Sequence, residues 1–370
     1  MNKPRIIISG GGTGGHIFPA LSIANAIKAL RPEAEILFVG AEGRMEMERV
    51  PAAGYPIIGL PVAGLQRSLS PRNLTFIFKL GKSIRKARKI LKDFKPDVVV
   101  GVGGYASAPV LMSASRRGIP CLIQEQNSYA GLVNRLLGKR ARRICTAYEG
   151  MERFFPADKI ILTGNPIRSE IAPATPEQRA EGYGFYGLDP RKKTLFVVGG
   201  SLGCSTLNNV MKDWVENRAA GSDYQVIWQC GRKYRAGIDS FMEGRQVPNL
   251  YYSDFIQRMD LAYAVADVIV SRAGAGTISE LCVAGKATIF VPSPVVAEDH
   301  QTHNAMALVK KDAAIMVRDA EATEKLPEAI DSLMADPERI AGMEANILGL
   351  GRKDAAEVIA KEVLSLTEHV

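Results

Sequence analysis

Ile6-Ile-Ile-Ser-Gly-Gly-Gly-Thr-Gly-Gly-His16 runs from a wholly apolar triplet into five glycines, a threonine and a histidine. A run that is apolar at every position, not at alternate ones, reads as a strand buried on both faces. The glycines make a turn, and the amphipathic stretch 16–30 that follows reads as a helix. The same unit recurs outward from it. Strands read at Ile36–Val39, Val98–Val100 and Cys121–Ile123, with helical patterns over 71–92, 106–117 and 130–139. Past Asn165-Pro166 and Pro173-Ala-Thr-Pro176, which break the pattern near 164–190, the scheme starts again. Thr194–Val198 runs into Gly199-Gly-Ser-Leu-Gly203, then strands read at Val226–Trp228, Val268–Val270 and Thr288–Val291, with helical patterns near 204–218, 276–284 and 301–311. Strand–helix alternation predicts parallel sheets covered on both faces. The fold class is α/β: two doubly wound, Rossmann-like parallel-sheet domains facing a cleft, over 1–164 and 165–349, with ligands at the carboxyl ends of both sheets.

Length and composition agree. A chain of 370 residues, 46% apolar and 23% charged, has material for two or three domains and is neither disordered nor fibrous. No apolar run approaches the roughly 18 residues of a membrane span. The apolar start is too short for a signal peptide. Five scattered cysteines without a Cys-x-x-Cys pair point to a reducing cytoplasm, not to a disulfide framework or zinc ribbon. The net charge of +8 leaves room for an anionic partner.

Glycine turns that open helices let backbone N–H groups approach a phosphate, and the helix terminus adds about half a positive charge. Gly10-x-Gly12-x-x-Gly15 fits the dinucleotide fingerprint, yet the acid that should hold a ribose about 20 residues on is missing, since Glu42 comes late. Nicotinamide chemistry is therefore a secondary reading. The phosphate loop ending in Gly-Lys-Ser is absent, because Phe76 stands where its first glycine belongs. A third cluster, Gly101-Val-Gly-Gly-Tyr105, adds to the same rim.

Taken together, the motifs resemble one family. Gly10–His16 with Pro19-Ala-Leu21, Gly103-Gly-Tyr105 with Ser107 and Pro109, and Glu125-Gln-Asn127 with Gly131 and Asn134 make up the first half. Gly164-Asn-Pro-Ile-Arg168, Gly199-Gly-Ser201, Arg272-Ala-Gly-Ala275 with Thr277 and Glu280, and His300-Gln301 with Asn304-Ala305 make up the second. In order and spacing, over nearly the whole chain, these are similar to the MurG family of bacterial peptidoglycan glycosyltransferases. The resemblance implies the GT-B architecture and transfer of N-acetylglucosamine from UDP-N-acetylglucosamine to lipid I, giving lipid II. It also implies that the C-terminal helix, about 350–370, packs back on the first domain. Gln124 departs from the family's usual His, and Val102 and Ala108 from its usual Phe and Gly.

By that resemblance the donor sits on the second half. Ser201 is the expected phosphate ligand, Glu280 the ribose acceptor, and Arg168 and the Ile256 backbone the uracil contacts. Ala275, Gly276 and Thr277 line the donor, while Gln301 and Asn127 meet the sugar; Asn304, one helical turn from Gln301, shares its face. Gly12, Thr13, Gly14 and Gly15 face the acceptor diphosphate with Gly104 and Tyr105 beside them, and Thr13–Gly15 also approach the donor. The acceptor is a sugar hydroxyl, which gains from a base whose pKa is near neutral. His16 is the candidate base and Glu125 the reserve. With no Asp-x-Asp motif and no third ligand beside His300 and His303, no metal and no cofactor are expected.

Residues 74–92 hold seven cations and no acid. A helical wheel puts Ile77, Leu80, Ile84, Ala87 and Leu91 on a core stripe, with Lys79, Lys82, Arg85, Lys86 and Lys89 opposite and Leu74 and Phe78 among them. Apolar side chains on a basic face suit an anionic membrane surface; the 138–143 run extends that patch. The resemblance implies a peripheral enzyme on the cytoplasmic face of the bacterial inner membrane, with other cell-wall synthesis and division proteins as partners. Nucleic acid is not expected, since no recognised module is present. The alternatives are another UDP-sugar enzyme of this fold, such as a UDP-N-acetylglucosamine 2-epimerase, and a non-catalytic binder of anionic lipid.

Overall fold

A computed structural model describes residues 3–62, 72–168, 170–200 and 202–368, with the backbone alone at 72–77 and 297. The chain divides into two compact units, 1–167 with 352–370, and 168–351.

In the first unit the order is β1 (Arg5–Ser9), α1 (Gly14–Leu30), β2 (Glu35–Ala41), α2 (Glu46–Ala52), β3 (Ile57–Leu60), α3 (Arg72–Phe94), β4 (Val98–Gly101), α4 (Ser107–Ser115), β5 (Cys121–Glu125), α5 (Leu132–Gly138), β6 (Arg143–Thr146) and β7 (Ile160–Leu162). The seven strands form one parallel sheet in the order β3-β2-β1-β4-β5-β6-β7. Ile6, Ile7 and Ile8 are fully buried, each contributing about 1.5–3 kcal/mol of hydrophobic stabilisation. Their side chains alternate between two cores. Ile6 and Ile8 face α1, and Ile7 packs with α3 and α4 residues.

The second unit contains α6 (Pro176–Tyr186), β8 (Lys193–Val198), α7 (Ser205–Asn217), β9 (Tyr224–Gln229), α8 (Arg235–Met242), β10 (Leu250–Ser253), α9 (Met259–Val265), β11 (Val268–Ser271), α10 (Ala275–Ala284), β12 (Thr288–Phe290), α11 (His300–Val309), β13 (Ile315–Met316), α12 (Ala322–Met334) and α13 (Pro337–Leu348). Its parallel sheet runs β10-β9-β8-β11-β12-β13. The last helix, α14 (Ala355–Ser365), belongs to the first unit, where Ile359, Val363 and Leu364 join the α1 core.

Both sheets are doubly wound, and in each the strand order reverses once, between β1 and β4 and between β8 and β11. At such a point the connecting loops leave in opposite directions and open a crevice at the carboxyl ends of the strands. Those loops are 10–13 and 102–106 in the first unit and 199–204 and 272–274 in the second. Each glycine cluster singled out in the sequence lies on one of them or at its junction with the flanking strand or helix.

Candidate active site

In the first unit, the β1–α1 turn carries Gly11 at φ 148° and Gly12 at φ 90°, and the β4–α4 loop carries Gly103 and Gly104 at 96° and 81°. The two loops touch through bare backbone. A Cβ at Gly104 would fall 2.3 Å from the Gly11 carbonyl oxygen, and one at Gly103 would fall 2.8 Å from the His16 ring. Helix α1 then starts at Gly14 with no acid in its first turn and no side chain capping it from Thr13. Amides there are set to meet an anion. Gly12, Thr13, Gly15 and Tyr105 are exposed, and Gly14 and Gly104 half-buried.

His16 stands on that first turn, half-buried, its Nδ1 3.2 Å from both the Gly11 carbonyl and the Thr13 hydroxyl. A carbonyl only accepts, so Nδ1 carries the proton in that contact and Nε2 of the neutral ring is the acceptor.

Glu46, at the start of α2, is a site residue that sequence reasoning missed. Its carboxylate is 1% exposed, accepting the Gly12 N–H on both oxygens at 3.1 Å and the Ala41 N–H at 2.9 Å. The signals for it in the sequence are Gly40 and Gly11, whose missing Cβ atoms leave the space that the Glu46 side chain fills.

Glu125 closes β5 facing inward. Its carboxylate accepts from the Asn127 N–H (3.1 Å) and Nδ2 (3.4 Å), the Gly131 N–H (3.0 Å) and Asn134 Nδ2 (2.8 Å). Burial pushes its pKa up, and these hydrogen bonds oppose the shift. These contacts engage both oxygens of the residue expected as the reserve base and brace the 126–131 loop that carries Asn127. Gln124, in the place of the family's His, is fully buried and donates to Asn165 Oδ1 at 2.9 Å. Gln126 bonds Gln124 Oε1 and the Val102 carbonyl, tying β5 to the β4 loop.

In the second unit, the β8–α7 turn has Gly200 at φ 84° and Gly203 at φ 81°, closed by the Gly203 N–H on the Gly200 carbonyl at 2.9 Å. Ser201 lies outside the described residues. Gln229, at the end of β9, donates to the Gly200 carbonyl and accepts the Ile256 N–H, both at 3.0 Å. The Ile256 amide is thus already spent, and any uracil contact from that backbone falls to its carbonyl.

Helix α10 begins after Gly274 without a capping side chain or an acid in its first turn, so Ala275, Gly276 and Thr277 repeat the arrangement of Gly14 and Gly15. One turn on, Glu280 receives Arg168 Nε at 2.8 Å, Arg168 Nη2 at 2.7 Å and the Tyr263 hydroxyl at 3.1 Å. Burial works against the Arg168 charge, but the bond to Glu280 outweighs it and raises the guanidinium above its ordinary value. Burial and then the Glu280 charge push the Tyr263 phenol well up, so it remains a donor.

Helix α11 is entered through Glu298 (φ 56°) and Asp299 (φ 49°), two left-handed non-glycine residues in succession. Such strain persists only where surrounding structure enforces it. Gln301 follows, its Oε1 accepting the Ser293 N–H at 2.8 Å. Asn304 does not share an open face with it. It is fully buried and donates to the Ala273 carbonyl at 3.5 Å, in the loop before α10. Among the described residues, no group of three or more His, Cys, Asp or Glu side chains could hold a metal ion.

On α3, Ser83, Ala87, Ile90 and Leu91 are buried, while Phe78 is 74% exposed with Lys79, Lys82, Arg85 and Lys89 exposed around it. Lys86 is drawn off that face by Glu42 at 2.8 Å. The side chains of Leu74 and Ile77 lie outside the described residues. No helix among the described residues is long and apolar enough to cross a membrane.

The glycosyltransferase family 28 N-terminal domain matches residues 6–146, and the family 28 C-terminal domain matches 194–359. The chain is 56% identical over 367 residues to a UDP-N-acetylglucosamine–N-acetylmuramyl-(pentapeptide) pyrophosphoryl-undecaprenol N-acetylglucosamine transferase of Bacteroides fragilis, covering 99% of this chain and 96% of that one. It is 53% identical to the protein of the same name in Parabacteroides distasonis, over the full length of both. The crystal structure of Acinetobacter baumannii MurG superposes with a TM-score of 0.79 at 26% identity, covering 98% of this chain and 99% of that one. Two Rossmann-like units, two family 28 domains and full-length relatives of one name converge: the chain belongs to the MurG family of glycosyltransferases, with the GT-B fold.

Proposed function

We propose that the protein transfers N-acetylglucosamine from UDP-N-acetylglucosamine to the 4-hydroxyl of the muramoyl sugar in lipid I, giving lipid II, with inversion at the anomeric carbon. The observation that carries the mechanism is the His16 contact: Nδ1 on the Gly11 carbonyl leaves Nε2 as a proton acceptor beside an uncapped helix start. In the reaction, Nε2 takes the hydroxyl proton as the oxygen forms its bond to the anomeric carbon. The bond from that carbon to the phosphate oxygen breaks, and UDP leaves with the electron pair.

Thr13, Gly14 and Gly15 hold the acceptor diphosphate by their amides. The amides of Ala275, Gly276 and Thr277 and the β8–α7 turn meet the charge that grows on UDP. Donors already aimed at developing charge cost no reorganisation, which is why such sites lower barriers. Glu280 takes ribose, the Ile256 carbonyl and Arg168 the uracil end, and Gln301 and Asn127 the sugar. Exposed Phe78 and its ring of cations bring the enzyme to the anionic cytoplasmic face of the bacterial membrane, where the lipid-linked acceptor resides.

The test is label transfer from UDP-N-acetylglucosamine to a soluble lipid I analogue. Labelled disaccharide product is expected, with no turnover when the acceptor is omitted. Conversion of the nucleotide sugar alone to its 2-epimer would overturn the reading.

A further inference from the structure

The peptide group joining Gly11 and Gly12 is held at both ends. Its N–H, on Gly12, lies 3.1 Å from each oxygen of Glu46; its carbonyl, on Gly11, accepts from His16 Nδ1 at 3.2 Å. The backbone is shaped around this chain of contacts. A Cβ on Gly11 would lie 2.0 Å from Glu46 Oε1, and one on Gly40 2.6 Å from Glu46 Cγ. On the far side, a Cβ on Gly104 would fall 2.3 Å from the Gly11 carbonyl oxygen, so only a glycine there leaves that carbonyl its place.

Burying a carboxylate is costly. The Glu46 oxygens receive two N–H groups, Ala41 on Oε1 and Gly12 on both, so a glutamine would keep one accepting oxygen and turn its NH2 toward the Gly12 N–H. No Lys or Arg forms an ion pair with Glu46 among the described residues. A negative charge on the N–H end of a peptide polarises it and makes the carbonyl at the other end a stronger acceptor.

We infer that Glu46 is a positioning residue for His16, acting through the Gly11–Gly12 peptide: it fixes the carbonyl on Nδ1, holds the ring in the tautomer with Nε2 bare, and stabilises the imidazolium once the proton arrives. The logic is that of a carboxylate orienting a catalytic histidine, with one peptide plane between the two. This rests on the reading of His16 as the base.

The test combines nitrogen-15 spectroscopy of the imidazoles in the full-length protein with steady-state kinetics on a soluble lipid I analogue. His16→Gln identifies the His16 signals among the four histidines. In the wild type, neutral His16 should show a protonated Nδ1 and a bare Nε2. Glu46→Gln, isosteric but uncharged, should move His16 toward mixed tautomers and lower kcat about ten- to hundredfold, less than the ~10⁴ lost when a carboxylate bonded directly to a catalytic histidine is neutralised, since a peptide stands between. The KM for UDP-N-acetylglucosamine should hardly move. Glu46→Asp keeps the charge and should retain more activity than Glu46→Gln. If Glu46→Gln leaves tautomer and kcat as they were while His16→Gln is inactive, the inference falls and the base reading stands. Equal losses in the Asp and Gln variants, with the wild-type tautomer in both, would reduce Glu46 to packing and also overturn it. An active His16→Gln would instead overturn the base reading itself.

Discussion

Arg168 grips both oxygens of Glu280, Nε to Oε1 at 2.8 Å and Nη2 to Oε2 at 2.7 Å, while Tyr263 donates to the same carboxylate. A carboxylate offers about four acceptor positions, and three are filled here. On the proposed roles, two ribose hydroxyls cannot both be received unless Arg168 releases a contact, which would couple the ribose and uracil ends of the donor site. Glu280→Ala should weaken UDP binding about ten- to hundredfold, the worth of a charged hydrogen bond. Calorimetric titration of Arg168→Ala, Glu280→Ala and the double variant should give strongly non-additive losses. Additive losses would mean that the pair does not act as a unit.

His16→Ala should lower kcat by about 10²–10⁴, the range for a lost general base, with little change in the KM for UDP-N-acetylglucosamine. A rise in KM at constant kcat would move His16 from proton transfer to binding.

Burial raises the Glu125 pKa above 4.5 against four hydrogen bonds that favour the charged form. A carboxyl with a raised native pKa gives its full stability contribution below its unfolded pKa and loses it as pH rises through the native value. Urea unfolding should therefore show the wild type losing ground to Glu125→Gln as pH climbs above the ordinary carboxyl range. Wild type gaining on the variant over that interval would contradict a raised pKa.

Lys79, Lys82 and Arg85 stand exposed beside Phe78 on α3. Neutralising all three should cost about 3 kcal/mol of attraction to anionic vesicles, at about 1 kcal/mol per cation. Sedimentation with vesicles rich in anionic lipid should show the loss, and raising salt should erode wild-type binding in the same direction. Equal binding to neutral and anionic vesicles would remove the electrostatic part of the docking account.

The elements that place the crevices were legible because their signals are local. β1 and β8 are apolar runs that end in glycine, and the turns after them show in the sequence alone. Other strands hid for physical reasons. β3 is four residues long with Gly59 inside it, and β6 begins on Arg143, at the end of a basic run read as surface charge, although Ile144, Cys145 and Thr146 are buried. The surroundings of site residues were hidden where tertiary partners decide them. Helical spacing put Asn304 near Gln301 but could not show that the Ala273 carbonyl claims it. Glu125 has the chemistry of a base, yet Asn127, Gly131 and Asn134 use up its oxygens. No acid stands at ribose spacing after β2; Glu46, a few residues on, turns inward to the backbone of the first glycine loop.

At the centre of the account is transfer driven by helix-start amides on the diphosphates and by His16 on the hydroxyl, with no divalent ion. The direct measurement is the rate of disaccharide formation on a lipid I analogue with excess chelator and with added magnesium, with the anomeric configuration of the product read by NMR. The account predicts equal rates and a β-linked product from the α-linked donor. A rate that collapses in chelator, or an α-linked product, would contradict it.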